Sequence, residues 1–191
     1  MDALLLIKHA MPEIVADAPP ARWVLGEDGR AGANELTPLV ARYSPKHMFS
    51  STEPKARETG AIMTHALGIP CEQRLGLHEH QRPNERWMGR DAFHAIIARF
   101  FERPDALVYG SETADEASVR FGSAMDLLLA DHPTGSIAVT AHGTVISLYV
   151  AERTGENPFS LWQRLGLPSF VALSRSDLRL IEVVESVGPT G

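Results

Sequence analysis

LLLIKHAMPEI, residues 4–14, runs from four consecutive aliphatic residues into Lys8, His9 and Ala10, and Pro12 then stops the segment. An uninterrupted apolar run of this length, bounded by a breaker, reads as a strand buried on both faces, the kind found in parallel sheets. A lysine and a histidine at the end of such a strand have no use in the core. The strand is therefore expected to deliver them to a site.

The same pattern recurs. ALLLI (3–7), HMFSS (47–51) and SIAVTA (136–141) are mostly apolar or β-favouring, and each leads within a few residues into a helical pattern. Repeated strand-to-helix order predicts βα units on a parallel sheet. Helical stripes follow from Phe93, Ile96, Ile97, Phe100 and Phe101, and from Ala114, Ala117, Phe121, Ala124, Met125 and Leu128. Near the end, SFVALSR and LRLIEVV flank Ser176-Asp177, a hairpin expected at a sheet edge. Between the first strand and a helical pattern near 35–43 lies a stretch rich in turn formers, Pro12, Pro19, Pro20, Gly26, Gly29 and Gly32, read as a long functional loop. Residues 78–92 read as a polar excursion over a site. The fold class expected is α/β, a three-layer α/β/α sandwich with a mainly parallel sheet and an antiparallel edge, in one domain over 1–191.

Composition narrows the function. Hydrophobic residues make up 44% and charged residues 22% of the 191, and no apolar run approaches the roughly 20 residues of a membrane span. A start that enters the strand pattern directly, without a basic leader, predicts a cytoplasmic protein. The net charge of −6 argues against nucleic acid as partner, which needs a basic face. The single cysteine, Cys71, cannot form an internal disulfide and is expected to be a buried or half-buried thiol.

In an open parallel sheet, ligands bind beyond the carboxyl ends of the strands. Here those ends carry Lys8-His9, the stretch SSTEPKARETG (50–60) and AHGT (141–144). Pro54 suits a first helical position, which places Lys55 in a helical turn whose backbone N–H groups favour an anion. Gly143 and Thr144 let the backbone turn close to a ligand after His142. Cationic and protonatable side chains thus converge locally on an acidic protein, as an anionic substrate requires. His78 and His80 at alternate positions leave a metal site open, although two histidines at that spacing are weak evidence. Glu112 and Arg120 read as a structural ion pair.

These segments together resemble the histidine phosphatase superfamily, the phosphoglycerate-mutase-like family. The family's opening Arg-His-Gly is matched by Lys8-His9-Ala10. Its Ser-Ser turn and Arg-Ala-x-x-Thr-Ala helix are matched by Ser50-Ser51 and Lys55-Ala56-Arg57-Glu58-Thr59-Gly60. Leu77-His78-Glu79 matches its Leu-x-Glu, Gly110-Ser111-Glu112-Thr113 loosely matches a Gly-Glu-Ser element, and Ala141-His142-Gly143-Thr144 matches the late Ser-His-Gly-Gly.

The resemblance implies a metal-independent phosphomonoester hydrolase without a cofactor, acting on a small phosphorylated substrate. His9 would form a phosphohistidine, Glu79 would act as acid and base, and His142, Lys8, Lys55, Gly143 and Thr144 would hold the phosphoryl group. Glu85 and Glu112 are the other carboxylates near the excursion. Trp23, Arg82 and Trp87 are expected at the substrate rim. Both usual pocket arginines are lysines here, which keeps charge but loses the bidentate fork. Arg57, two positions from Lys55, is expected to point elsewhere. A phosphate-binding pseudoenzyme and a phosphoglycerate-mutase-type phosphotransferase are the alternatives, the latter disfavoured by the short excursion. The substrate and oligomeric state stay open.

Overall fold

Residues 2–82 and 88–187 are described in a computed structural model. Among them, six strands form one sheet: β1 (Ala3–Lys8), β2 (His47–Ser50), β3 (Cys71–Gln73), β4 (Ile137–Ala141), β5 (Ser169–Ser174) and β6 (Leu180–Val184). Their order is β3-β2-β4-β1-β5-β6. The first four run parallel, β5 is antiparallel to β1, and β6 is antiparallel to β5. The expected mainly parallel sheet with an antiparallel edge is thus present.

The uninterrupted aliphatic character of β1 follows from its central position. Leu4 and Leu6 face one core with Phe49, Val139 and Val171, while Ala3, Leu5 and Ile7 face another with Met48, Ala138 and Phe170. Two helices, α1 (Glu27–Ala41) and α2 (Pro54–Leu67), cover the second face through Leu36, Val40 and Met63. The opposite face is covered by α3 (Arg90–Glu102), α4 (Ala114–Asp131), α5 (Gly143–Thr154) and α6 (Pro158–Arg164), which contribute Phe100, Phe121, Tyr149 and Leu161. Both predicted stripes turn inward, with Ile97 and Phe100 on α3 and Phe121, Met125 and Leu128 on α4 fully or nearly fully buried. No helix among the described residues is long and apolar enough to cross a membrane.

Two expectations need correcting. The turn-rich stretch is a loop only in its first part, because α1 begins at Glu27 and takes Gly29 and Gly32 into the helix. Those glycines serve close approach, not turning. A Cβ at Gly29 would lie 2.0 Å from the Met11 carbonyl oxygen, and one at Gly32 would lie 2.9 Å from Pro168 Cδ. The bare face of α1 thereby seats the chain that leaves β1, tied also by Gly26 N–H donating to Met11 O (3.2 Å). Cys71 is exposed rather than half-buried, since β3 is a short strand at the edge of the sheet formed by the described residues.

Gly29→Ala is therefore expected to destabilise by about 1–3 kcal/mol, because the atom that must move is backbone. Gly122→Ala on α4, whose new Cβ would meet only Arg153 Nη2 at 3.8 Å, is expected to stabilise by about 0.5–1 kcal/mol. Urea unfolding midpoints of the two variants should move in opposite directions.

Candidate active site

The strand ladder continues past the ends of β1 and β2. His9 N–H donates to Ala141 O (3.1 Å) and Ser51 N–H donates to Thr140 O (2.9 Å), which sets His9, Ser51 and His142 side by side at the carboxyl edge of the sheet. The His9 and His142 ring centroids are 5.2 Å apart, edge to face. His9 Nδ1 lies 2.8 Å from Ala10 O. A carbonyl can only accept, so Nδ1 carries the proton and the lone pair of the neutral ring is on Nε2. Burial, followed by the Lys55 ammonium and His142, pushes the His9 pKa well below its ordinary value, and the ring is neutral at neutral pH. The backbone beside it is clamped to α2, since Ala10 N–H donates to Thr59 Oγ1 (3.0 Å) and that hydroxyl donates to Lys55 O (2.8 Å).

His142 caps α5 and is fully buried, with Nε2 2.8 Å from Ser51 Oγ and 3.6 Å from Glu53 Oε1. Burial first, then Lys55, pushes its pKa well down as well. Glu79 lies across the start of the same helix. Its carboxylate accepts from the N–H groups of His80 (2.9 Å), Thr144 (3.2 Å) and Val145 (3.3 Å). Burial alone would raise this carboxyl, but the Arg82 guanidinium, His142 and the His80 N–H outweigh it and hold the pKa below the usual value. Glu79 is thus ionised in the unliganded protein. The loop that carries it is braced by Arg120, which donates to Gly76 O, His78 O and Glu79 O and pairs with Glu112 at 2.6 Å. The expected structural role of Glu112 and Arg120 is what the geometry supports.

Both lysines reach the same region from opposite sides. Lys8 Nζ donates to Leu165 O (2.5 Å), and desolvation lowers its pKa to about 8 against the opposing pull of Glu79. Gly143 makes room for it, because a Cβ there would sit 3.0 Å from Lys8 Cε. Lys55 Nζ donates to Pro20 O (2.8 Å) and to Glu53 Oε2, and burial lowers its pKa too. A cavity of about 450 Å³ opens beside Lys8, His9, Lys55, Glu79 and Gly143, and a smaller one of about 240 Å³ adjoins it through Lys55, Glu79 and Arg82. A neutral imidazole that lines one cavity with two lysines can attack an anionic electrophile held there.

The profile of the histidine phosphatase superfamily (branch 1) matches residues 9–179. The chain belongs to this superfamily. No curated protein matches the sequence. Among solved structures, the mycobacterial glucosyl-3-phosphoglycerate phosphatase superposes with a TM-score of 0.79 at 17% identity, over 98% of this chain and 100% of that one. YhfR from Bacillus stearothermophilus gives 0.77 at 18% identity, over 98% of both chains. Phosphoserine phosphatase from Entamoeba histolytica gives 0.74 at 16%, over 96% of this chain and 97% of that one. At these identities the likeness establishes a shared fold.

Against this histidine phosphatase framework, the sequence reading overlooked Glu53. Its Oε1 accepts the Glu79 N–H (2.9 Å) while Oε2 holds Lys55, so one carboxylate ties together the turn after β2, the Glu79 loop and His142. Two positions apart on a helix would point away from each other, and that reasoning does hold for exposed Arg57. Glu53 escapes it because it is the N-cap of α2, with extended backbone (φ −70°, ψ 136°), and is not in the helix. An acidic residue directly before the helix-opening Pro54 was the available signal. The rim assignments divide. Trp23 is buried, with its indole N–H donating to Val15 O and Ala18 O, and lines the larger cavity together with Arg82. Trp87 and Glu85 lie outside the described residues. His80 packs against Phe100 (4.2 Å between centroids) with Nε2 3.2 Å from Glu112 O, and among the described residues no three His, Cys, Asp or Glu side chains gather as metal ligands.

The Glu53 and Lys55 side chains are only 11% and 6% exposed, so removing the acid leaves a buried ammonium without its counter-charge. Glu53→Ala is expected to cost about 3 kcal/mol in denaturant unfolding at neutral pH. Adding Lys55→Met should recover part of that loss, which an unrelated effect of the Glu53 substitution would not allow.

Proposed function

We propose that the protein hydrolyses phosphomonoesters through a phosphohistidine at His9. The observation that carries this is the His9 Nδ1 bond to the Ala10 carbonyl, which leaves the nucleophilic lone pair on Nε2 in a cavity lined also by Lys8 and Lys55. Nε2 attacks phosphorus, the bond from phosphorus to the ester oxygen breaks, and the departing alkoxide takes a proton from Glu79. Water then gives a proton to Glu79 and attacks phosphorus, the bond to nitrogen breaks, and inorganic phosphate leaves. Lys8, Lys55 and His142 hold the phosphoryl oxygens, and Thr144 adds its buried hydroxyl, which has no hydrogen-bond partner among the described residues. Gly143 contributes by letting Lys8 through.

The surroundings of Glu79 bear on the acid step. The Arg82 guanidinium, His142 and the His80 N–H keep it ionised until a phosphoryl group arrives, whose negative charge raises the carboxyl pKa and so draws in the proton that the leaving group needs. No metal takes part in this scheme, because the cations are side chains. Hydrolysis is preferred to phosphoglycerate-mutase chemistry because the excursion after Leu77 is short. A pocket that only binds phosphate is the second reading, favoured by the hold of Glu53 on Lys55.

His9→Ala should abolish turnover and acid-labile labelling by a phosphorylated substrate, with chelator leaving the wild type unaffected. Glu79→Gln should slow alkyl phosphates by about 10²–10⁴-fold and activated aryl phosphates far less. Saturable phosphate binding without turnover or labelling in the wild type would select the binding-only pocket.

A pH dependence follows from Lys8. Its ammonium is charged below a pKa of about 8 and neutral above it, so competitive inhibition by inorganic phosphate should weaken as pH rises through that value. Lys8→Arg keeps its charge over this range and should remove the weakening. An unchanged alkaline decline in that variant would count against Lys8 as a phosphate ligand.

A further inference from the structure

Beside Lys8, His9, Lys55 and Glu79, the larger cavity is walled by Met11, Ile14, Trp23, Phe93, Tyr109 and Trp162, with Lys8 Nζ 5.9 Å from the Trp162 ring centroid and the Arg82 guanidinium 4.9 Å from that of Phe93. The aromatic wall is already assembled: Phe93 lies 5.9 Å from Trp162 and 6.4 Å from Tyr109 between ring centroids, and Phe159 stacks behind Trp162 at 6.0 Å. At the mouth, Met11, Ile14 and Met88 are 43%, 52% and 38% exposed, all lining this one cavity. Scattered exposed apolar residues mean little, but a group of them around a polar centre marks a surface that a ligand covers.

The polar groups along this wall are as informative. Among the described lining residues there is no Ser, Thr, Asn or Asp, and Glu79 is the one carboxylate; besides Lys8, His9 and Lys55 the side-chain polar groups are Arg82, which acts on Glu79, and Arg90, His94, Tyr109, Gln163 and the indole nitrogens. A small polyol would leave the aromatic side chains and the apolar mouth uncovered, whereas an apolar ring would cover them. The volume suits a phosphoryl group and a ring-sized body, within the range of about 300–1,000 Å³ usual for small-molecule sites.

We infer that the group esterified to phosphate is an alcohol carrying an apolar planar ring, in preference to a small polyol. The inference rests on the phosphatase reading of the same site, and binding experiments separate the two. Non-hydrolysable 3-phenylpropylphosphonate and 3-hydroxypropylphosphonate, matched in length and charge, are titrated calorimetrically into the wild-type protein alongside inorganic phosphate. The phenyl ligand should bind at least about tenfold tighter than the hydroxyl ligand, as burial of a ring requires. Ile14→Gln, at an exposed position that folding tolerates, should cut that preference at least threefold. Turnover of 3-phenylpropyl phosphate should exceed that of glycerol 1-phosphate in kcat/KM by a similar factor, both having poor alkoxide leaving groups. Equal affinities, or a preference for the hydroxyl ligand, would overturn the apolar assignment while leaving phosphate binding intact. Failure of all three ligands to bind would overturn the phosphatase reading and this inference with it.

Discussion

Register between β1, β4 and β2 is the constraint on which the site depends. Lys8 pairs with Ala141 and Ser50 with Thr140, and the next backbone bonds, His9 to Ala141 and Ser51 to Thr140, extend the ladder one residue beyond the strands. A slip of one residue would invert every side chain of β1 between its two cores and carry His9 away from His142. Burial of five consecutive apolar residues on β1, from Ala3 to Ile7, makes that slip costly. The energy that holds the histidines together therefore comes mostly from the aliphatic core behind them.

Around that fixed pair the charges are arranged in a nearly closed set. Lys8 and Lys55 face Glu53 and Glu79, with both imidazoles neutral, in a region where every one of these groups is largely removed from water. Desolvation penalises each charge, so each finds a partner: Lys55 in Glu53, and Glu79 in three N–H groups at the start of α5 and its own loop. Histidines so placed cannot hold a proton at neutral pH, and that suits a nucleophile. The lysines, which are compact charges with movable donors, satisfy backbone carbonyls at Leu165 and Pro20 as well.

The chain between β1 and α1 links this centre to the cavity wall. Gly29 and Gly32 let α1 come against Met11 and Pro168, the Pro12–Leu25 bridge folds the loop on itself, and Trp23 pins its tip through Val15 and Ala18. The segment that leaves His9 thus lines the cavity through Met11, Pro12, Ile14 and Trp23, together with Phe93 on α3 and Trp162 on α6. The nucleophile and this part of the wall belong to one short stretch of connecting chain.

Much of this was legible in the amino-acid sequence because it is local. The period of β1, the stripes of α3 and α4, Pro54 opening α2 and the polar residues at three strand ends depend on neighbours in the chain, and a parallel sheet brings such ends to one edge by its own geometry. Lys8, His9, Lys55 and His142 could be picked out for that reason, whereas Glu79 was indicated only by the resemblance of Leu77-His78-Glu79 to a family motif. Tertiary structure alone decided what depends on distant partners. Gly29 and Gly32 look like turn residues until Met11 and Pro168 lie against them, and Cys71 looks buried until β3 proves to be the edge. Glu53 looks like a solvated acid beside a proline. Only when the Glu79 loop folds over it, and Lys55 loses its water, does its carboxylate become the counter-charge of that buried ammonium, because the strength of a charge pair is set by surrounding solvent that no stretch of sequence specifies.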